Sequence, residues 1–190
     1  ALDQRQHGGM EAADRLLGRR MVGLLVSLVG DVQWFQAGPV ALRLSHETDL
    51  HSRDALVSLA RRPDERSRQE VAKALGGSSS ALGVSVLAEL LKDPALEVAV
   101  TAARALGHSP GLGTASVLER HFDALDWTGK DYPLAREILG ALARTPDTDA
   151  ARVLEKIAGQ RALIKRGHFA EVQDLARQAL ASRQKGGSRP

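Results

Sequence analysis

Histidine is the residue type in this chain best suited to metal binding or proton transfer. The six histidines are His7, His46, His51, His108, His121 and His168. No two of them have the His-x-x-x-His spacing that places two imidazoles on one helical face for zinc. His46 is followed by Glu47, but a single His-Glu pair supplies too few ligands to hold an iron ion. We therefore predict no metal site.

The residue types of a hydrolase triad also occur close together, at Ser116, His121 and Asp123. A triad needs its nucleophile on a strained turn beside an oxyanion hole, and nothing in this stretch supplies either. The Gly-Gly-Ser-Ser-Ser segment at 76–80 lacks the Gly-Lys-Ser/Thr ending and the preceding strand of a phosphate-binding loop. The sequence therefore predicts a protein that is not an enzyme, with no catalytic residues, no cofactor and no small-molecule substrate.

Composition favours a helical protein. Aromatic residues make up only 3% of the 190 residues, so a core must be built from Leu, Val, Ala and Ile, which suit close packing between helices. The formal net charge of +3 is too small to indicate a strongly basic surface. The chain has no cysteine, which fits a reducing compartment, and we expect a cytoplasmic protein. Its longest apolar run, residues 21–29, is shorter than the roughly 20 residues that cross a bilayer, so no membrane span is expected.

The clearest helical pattern lies in residues 87–107. Apolar residues at helical spacing stop at Asp93-Pro94, and a second helical face then runs to Gly107. The two faces comprise Leu87, Leu90 and Leu91, then Leu96, Val98, Ala102, Ala105 and Leu106. This stretch therefore predicts two helices joined by a tight turn, with Leu106 fully buried and a serine of 78–80 capping the first helix.

The same pattern recurs along the chain. Residues 71–76, Val-Ala-Lys-Ala-Leu-Gly, align with residues 102–107 at an offset of 31. The leucine of this motif recurs at Leu44, Leu142 and Leu180. A single helical hairpin cannot bury both of its apolar faces, so neighbouring hairpins must stack.

The sequence therefore predicts an all-α protein, an α-solenoid of about five antiparallel helical hairpins. The hairpins are placed at 11–46, 50–77, 81–107, 113–144 and 148–183. We expect residues 1–10 to form a flexible lead-in and residues 184–190 a disordered tail. Individual helices are expected at 50–60, 65–75, 114–125, 134–143, 150–158 and 169–182. In the first hairpin, the second helix is expected to begin only at Pro39, because proline fits best in a first helical turn.

Residues 91–94, Leu-Lys-Asp-Pro, followed by Val98 and by residues 102–107, resemble the HEAT repeat. The bacterial short-period variety, found in scaffold proteins and in phycobilisome-lyase-like proteins, is the most similar. The resemblance extends over about residues 14–183 and is clearest at 81–107. It implies a scaffold whose second helices line a concave face. Ala99 stands where the family often has a basic residue that pairs with the turn aspartate.

The resemblance implies that Glu97, Thr101 and Arg104 form an exposed row on the second helix of the central hairpin. The corresponding residues of the other hairpins are Arg66, Glu70 and Lys73, then Pro133, Glu137 and Gly140, and finally Glu171, Leu175 and Gln178. A phosphate-binding groove would concentrate lysine and arginine with few acidic residues. These rows mix both signs, so nucleic acid is not an expected partner.

The first hairpin differs, because its row falls on Phe35, Pro39 and Leu42, next to Trp34. One explanation is an N-terminal cap in which residues 11–20 cover the aromatic rings. The other is contact with a partner protein or with another domain of the same chain, since large exposed apolar patches are uncommon without a use.

The function predicted from these observations is a non-enzymatic protein–protein interaction or scaffold module. The expected partner is a protein or an adjacent domain of the same chain. The predicted partner-binding residues are Trp34, Phe35, Leu42, Arg66, Lys73 and Arg104. The alternatives are a nucleic-acid-binding or DNA-repair protein of the HEAT-like type, and a lyase-like auxiliary enzyme.

Overall fold

A computed structural model of the chain describes residues 20, 22–76, 78–109, 113–160 and 167–187. Every regular element within these ranges is a helix, which confirms the all-α class. Helix α1 occupies residues 22–28 and leads into a 3₁₀ turn at Val29–Asp31. The next helices are α2 (Trp34–Ser45), α3 (Leu50–Ala60), α4 (Glu65–Leu75), α5 (Ala81–Leu90) and α6 (Leu96–His108). They are followed by α7 (Thr114–Asp123), α8 (Tyr132–Arg144), α9 (Asp149–Ala158) and α10 (Phe169–Gly187).

Short polar side chains start three of these helices. The carboxylates of Asp49 and Asp64 accept hydrogen bonds from the N–H groups of Ser52 and Ser67, at 2.9 and 2.7 Å. The hydroxyl of Ser80 likewise accepts the N–H of Gly83, at 3.2 Å. Each cap satisfies a donor that the first helical turn leaves unpaired. The serine cap predicted for α5 is thus confirmed.

The helices pack in two layers. The even layer comprises α2, α4, α6, α8 and α10, each packed on the next. The odd layer comprises α3, α5, α7 and α9, which also contact one another in that order. Each even helix also packs against its odd neighbours in the chain, so one aliphatic core runs between the layers. Leu106 is fully buried in this core, as predicted.

Helices of the even layer approach one another closely because small residues lie between them. A Cβ atom added to Gly38 would lie 3.1 Å from the carbonyl oxygen of Glu70. One added to Gly107 would lie 2.8 Å from the Cα of Ala141, closer than two such atoms can come. These glycines therefore set the spacing between α2 and α4 and between α6 and α8.

Among the helices with stated predicted bounds, two ends differ from the prediction by more than two residues. Helix α2 begins at Trp34 rather than at Pro39, which lies in its interior. The Oε1 of Gln36 accepts the N–H of Gln33 at 3.0 Å and so stabilises the earlier start. Proline at position 39 removes only the hydrogen bond that Phe35 would accept in the first turn.

Helix α10 continues to Gly187, past the expected end at residue 182. The guanidinium of Arg183 donates to the carbonyl oxygens of Leu142, at 3.0 Å, and of Asp147, at 2.8 Å, and also to that of Thr145. These bonds hold the end of α10 against the loop that follows α8. The lead-in predicted at 1–10, residues 11–19 of the N-terminal cap considered above, and residues 188–190 of the predicted tail lie outside the described residues.

Candidate docking surface

Two adjacent aromatic side chains at the start of α2 are exposed. Trp34 is 45% exposed and Phe35 58%, and their rings meet edge to face with centroids 5.7 Å apart. One and two turns further along α2, Pro39 and Leu42 are exposed on the same side as Phe35, at i+4 and i+7. We call Trp34, Phe35, Pro39 and Leu42 the aromatic patch. Such rings are well suited to anchoring a protein partner, because they bury a large area at little entropic cost.

Arg66 of α4 brings a positive charge to the aromatic patch. Its guanidinium carbon lies 5.9 Å from the centroid of the Trp34 ring, within the range of a cation–π interaction. Among the described residues, no carboxylate lies within ion-pair distance of Arg66. The structure thus brings together four of the predicted partner-binding residues, Trp34, Phe35, Leu42 and Arg66.

The other two predicted residues are exposed but engaged in ion pairs. Lys73 bonds Glu70 of its own helix at 2.7 Å. Arg104 on α6 bonds Glu137 on α8 at 3.1 Å, and Arg144 bonds the same carboxylate at 2.8 Å. Burial alone would raise the pKa of Glu137, but its hydrogen bonds with the two arginines hold that pKa below the ordinary value. Each of these cations is therefore paired with a carboxylate of the same chain.

One residue of the expected exposed row is buried. Glu97 and Arg104 are exposed, but Thr101 between them is only 7% exposed. Its hydroxyl donates to the carbonyl of Glu97 at 2.7 Å and accepts the amide of Gln69 on α4 at 3.4 Å. The expectation for Thr101 was wrong because α4 packs over this part of α6.

The structure does not assemble the residues that could have formed a hydrolase triad or a metal site. The carboxylate of Asp123 pairs with Lys156 of α9, at 2.8 Å, rather than with His121. The carboxylate of Glu47 pairs with Arg43. No cluster of three or more histidine and acidic side chains that could hold a metal ion occurs in the described ranges.

The structure has an ion pair between Arg68 of α4 and Asp93 of the α5–α6 turn that was not predicted from the sequence. Both side chains are largely buried, and we call the two residues the buried ion pair. The guanidinium of Arg68 bonds the carboxylate of Asp93 at 2.7 and 2.9 Å and also donates to the carbonyl oxygens of Arg62 and Pro63. The repeat offset contained the signal, because Arg68 lies 31 residues before Ala99 and so occupies the basic position of its own hairpin.

None of the described helices is both long and apolar enough to span a membrane. A scan against protein-family models and a search of curated proteins both find no match for this chain.

Proposed function

We propose that this chain is a non-enzymatic protein-interaction module that binds a partner protein through the aromatic patch. The observation that carries the proposal is the exposure of Trp34 and Phe35, with Arg66 beside them. Few aromatic residues occur in this chain, and burying a ring is favourable by about 1.5 to 3 kcal/mol. Two rings left in water at one place are therefore better explained by a partner that covers them.

The architecture that we propose is a HEAT-like solenoid of about five helical hairpins. Its support is the packing of alternate helices in two layers, together with the offset of 31 residues between equivalent positions of the second and third hairpins. The close glycine and alanine contacts within the even layer, such as that of Gly107 with Ala141, favour a curved array with this layer on the inside.

The chemistry of the aromatic patch indicates what the partner presents. Trp34 and Phe35 suit a large apolar side chain, while the unpaired guanidinium of Arg66 suits a carboxylate next to it. Elsewhere on the even layer, Lys73 is paired with Glu70, and Arg104 and Arg144 are both paired with Glu137. This charge pattern favours a protein partner over the phosphate backbone of a nucleic acid, which would require unpaired cations along the whole face.

Site-specific crosslinking tests the proposal. A photoreactive residue replaces Phe35 in one variant and, as a control, Leu96 in another, because Leu96 is exposed on α6 outside the aromatic patch. A partner that crosslinks through position 35 alone is purified, and its affinity for the unlabelled chain is measured by titration calorimetry.

We expect the double substitution Trp34→Ala and Phe35→Ala to weaken this affinity by about 30-fold or more, which corresponds to about 2 kcal/mol. The control double variant, Leu50→Ala with Leu96→Ala, removes two exposed leucines elsewhere and should bind as the unmodified chain does. Equal affinity of the aromatic double variant and the unmodified chain would contradict the proposal.

A further inference from the structure

A groove of about 760 Å³ lies between α3 and α5 in the odd layer. It is separate from the aromatic patch, which belongs to the even layer. The groove has two walls. One is formed by Arg53 and Val57 of α3 with Arg61 just after it, and the other is the face of α5 that carries Leu82, Val86 and Leu90. The turns that follow the two helices close one end.

The floor of the groove is apolar. Val57 and Leu82 are half-buried, and Val86 and Leu90 are buried below them. Leu82, Val86 and Leu90 follow one another at four-residue intervals, so they form one stripe along α5. An apolar stripe between two helices is the kind of surface into which the apolar face of a third helix packs.

The rim of the groove is basic. Five cationic side chains line it, against two carboxylates. The cations are Arg53, Arg61, Arg62, Arg68 and Lys92, and the carboxylates are Glu89 and Asp93. The lining of the groove therefore carries an excess of three positive charges.

Three of the five cations are engaged within the chain. Arg68 bonds Asp93 in the buried ion pair, and Lys92 bonds Glu89 at 3.2 Å. Arg62 donates to the carbonyl oxygens of Val29 and Val32 and bonds Asp64 at 3.3 Å.

The remaining two, Arg53 and Arg61, are exposed and have no ion-pair partner among the described residues. Arg53 lies on α3 and Arg61 directly follows its last residue, so the two are eight positions apart, a helical rise of about 12 Å. Two unpaired guanidinium groups at the rim of an apolar groove attract carboxylates and set the distance between them.

We propose that this groove binds an acidic amphipathic helix of a partner protein. Leucine-like side chains of that helix pack on Val57, Leu82 and Val86, and two carboxylates about eight positions apart bond Arg53 and Arg61. The buried ion pair of Arg68 with Asp93 fixes the turns at the end of the groove, so little ordering is needed when the helix binds. The site does not depend on the aromatic patch.

A synthetic peptide tests this site on the full chain. The probe is a fluorescein-labelled helical peptide of about 14 residues with a leucine stripe and two glutamates eight positions apart. Its binding is measured by fluorescence anisotropy. We expect saturable binding that weakens as the salt concentration rises. The double charge reversal Arg53→Glu with Arg61→Glu should weaken binding at least tenfold.

The matched control is Lys130→Glu with Arg136→Glu, which makes the same change in net charge at two exposed residues outside the groove. It should change the affinity less than twofold. Leu82→Gln, which removes an apolar contact from the floor of the groove without altering charge, should weaken binding about fivefold or more. Circular dichroism of each variant verifies that the helices are retained.

Three results would overturn the proposal. The first is absence of saturable binding, and the second is equal loss of affinity in the Arg53/Arg61 variant and in its control. The third is displacement of the peptide by short single-stranded DNA or by inorganic phosphate, together with unchanged binding by Leu82→Gln. That third result would identify a general polyanion site with no role for the apolar floor.

Discussion

The guanidinium of Arg68 on α4 and the carboxylate of Asp93, 25 residues further along the chain, form two hydrogen bonds, of 2.7 and 2.9 Å. The two side chains are only 12% and 6% exposed. Burial alone would raise the pKa of Asp93, but bonds from Arg68 and from the N–H of Ala95 hold it below its ordinary value. The pair therefore joins α4 to the turn between α5 and α6.

Replacing Arg68 by methionine should destabilise the chain strongly. The carboxylate of Asp93 would remain buried without its cation, and breaking such a pair costs about 3 to 5 kcal/mol. Urea unfolding at neutral pH measures the loss. Adding Asp93→Asn to Arg68→Met removes the buried charge and should recover part of the stability. A loss below about 1 kcal/mol for Arg68→Met would show that the pair does not stabilise the fold.

The effect of Arg68→Met should also depend on pH. In the folded, unmodified chain the pKa of Asp93 is lower than in the unfolded state, where it is about 3.9. The ion pair therefore contributes fully to the unfolding free energy at pH values above the unfolded-state pKa. Its contribution is lost as the pH falls through the folded pKa. In the variant, burial without Arg68 raises the pKa of Asp93, so acid relieves the unpaired charge.

Acid weakens the ion pair in the unmodified chain and relieves the unpaired charge in Arg68→Met, so both effects bring the stabilities of the two proteins closer together. The difference in unfolding free energy between the unmodified chain and Arg68→Met should shrink as the pH falls from about 7 towards 4. Urea titrations across this range measure it, with Leu106→Ala as a control whose effect involves no ionisable group. A difference that stays constant or grows in acid would contradict the assignment.

Leu106→Ala should destabilise the chain by about 2 to 5 kcal/mol. Its side chain is fully buried in α6 between the two layers, so its loss leaves a cavity as well as removing apolar contact. Chemical denaturation gives the value. A loss of less than about 1 kcal/mol would show that the interface around Leu106 collapses around the smaller residue or packs elsewhere.

Gly107→Ala should destabilise the chain, although alanine forms helices better than glycine. The added methyl would lie 2.8 Å from the Cα of Ala141, so α6 and α8 must separate. We expect a net loss of about 1 to 2 kcal/mol by thermal or urea unfolding.

Gly23→Ala on α1 is the matched control, because an added Cβ there has no described atom within 4 Å. It should be neutral or stabilising by up to about 1 kcal/mol. Equal effects of the two substitutions would show that Gly107 does not set the spacing between α6 and α8.

Capping residues and polar turns in the sequence correctly predicted the helices whose ends depend only on neighbouring residues. Helices α3 and α4 begin and end where predicted, because Asp49 and Asp64 cap them and polar turns follow. The burial of Thr101 and the end of α10 were not predicted. Both depend on contacts between distant segments, with Gln69 in the first case and with Arg183 bonding the loop after α8 in the second.

The same distinction applies to the candidate site. The resemblance to the HEAT repeat placed Phe35 and Leu42 on one row of α2 but left open whether residues 11–20 cover them; in the structure both residues are exposed. The sequence did not predict that Arg66 lies over the ring of Trp34 or that Glu137 neutralises Arg104. Those relations follow from how neighbouring helices of the even layer pack, which a single sequence does not contain.

We propose that Trp34 and Phe35 form a surface for a partner rather than part of the core. The most direct test is the unfolding free energy of the double variant Trp34→Ala with Phe35→Ala, measured by urea denaturation. Because both rings are about half exposed, we expect a loss of no more than about 1 kcal/mol and unchanged helical content. A loss of about 3 to 5 kcal/mol or more, the cost of removing a buried aromatic ring, would place the rings in the core and contradict the docking surface.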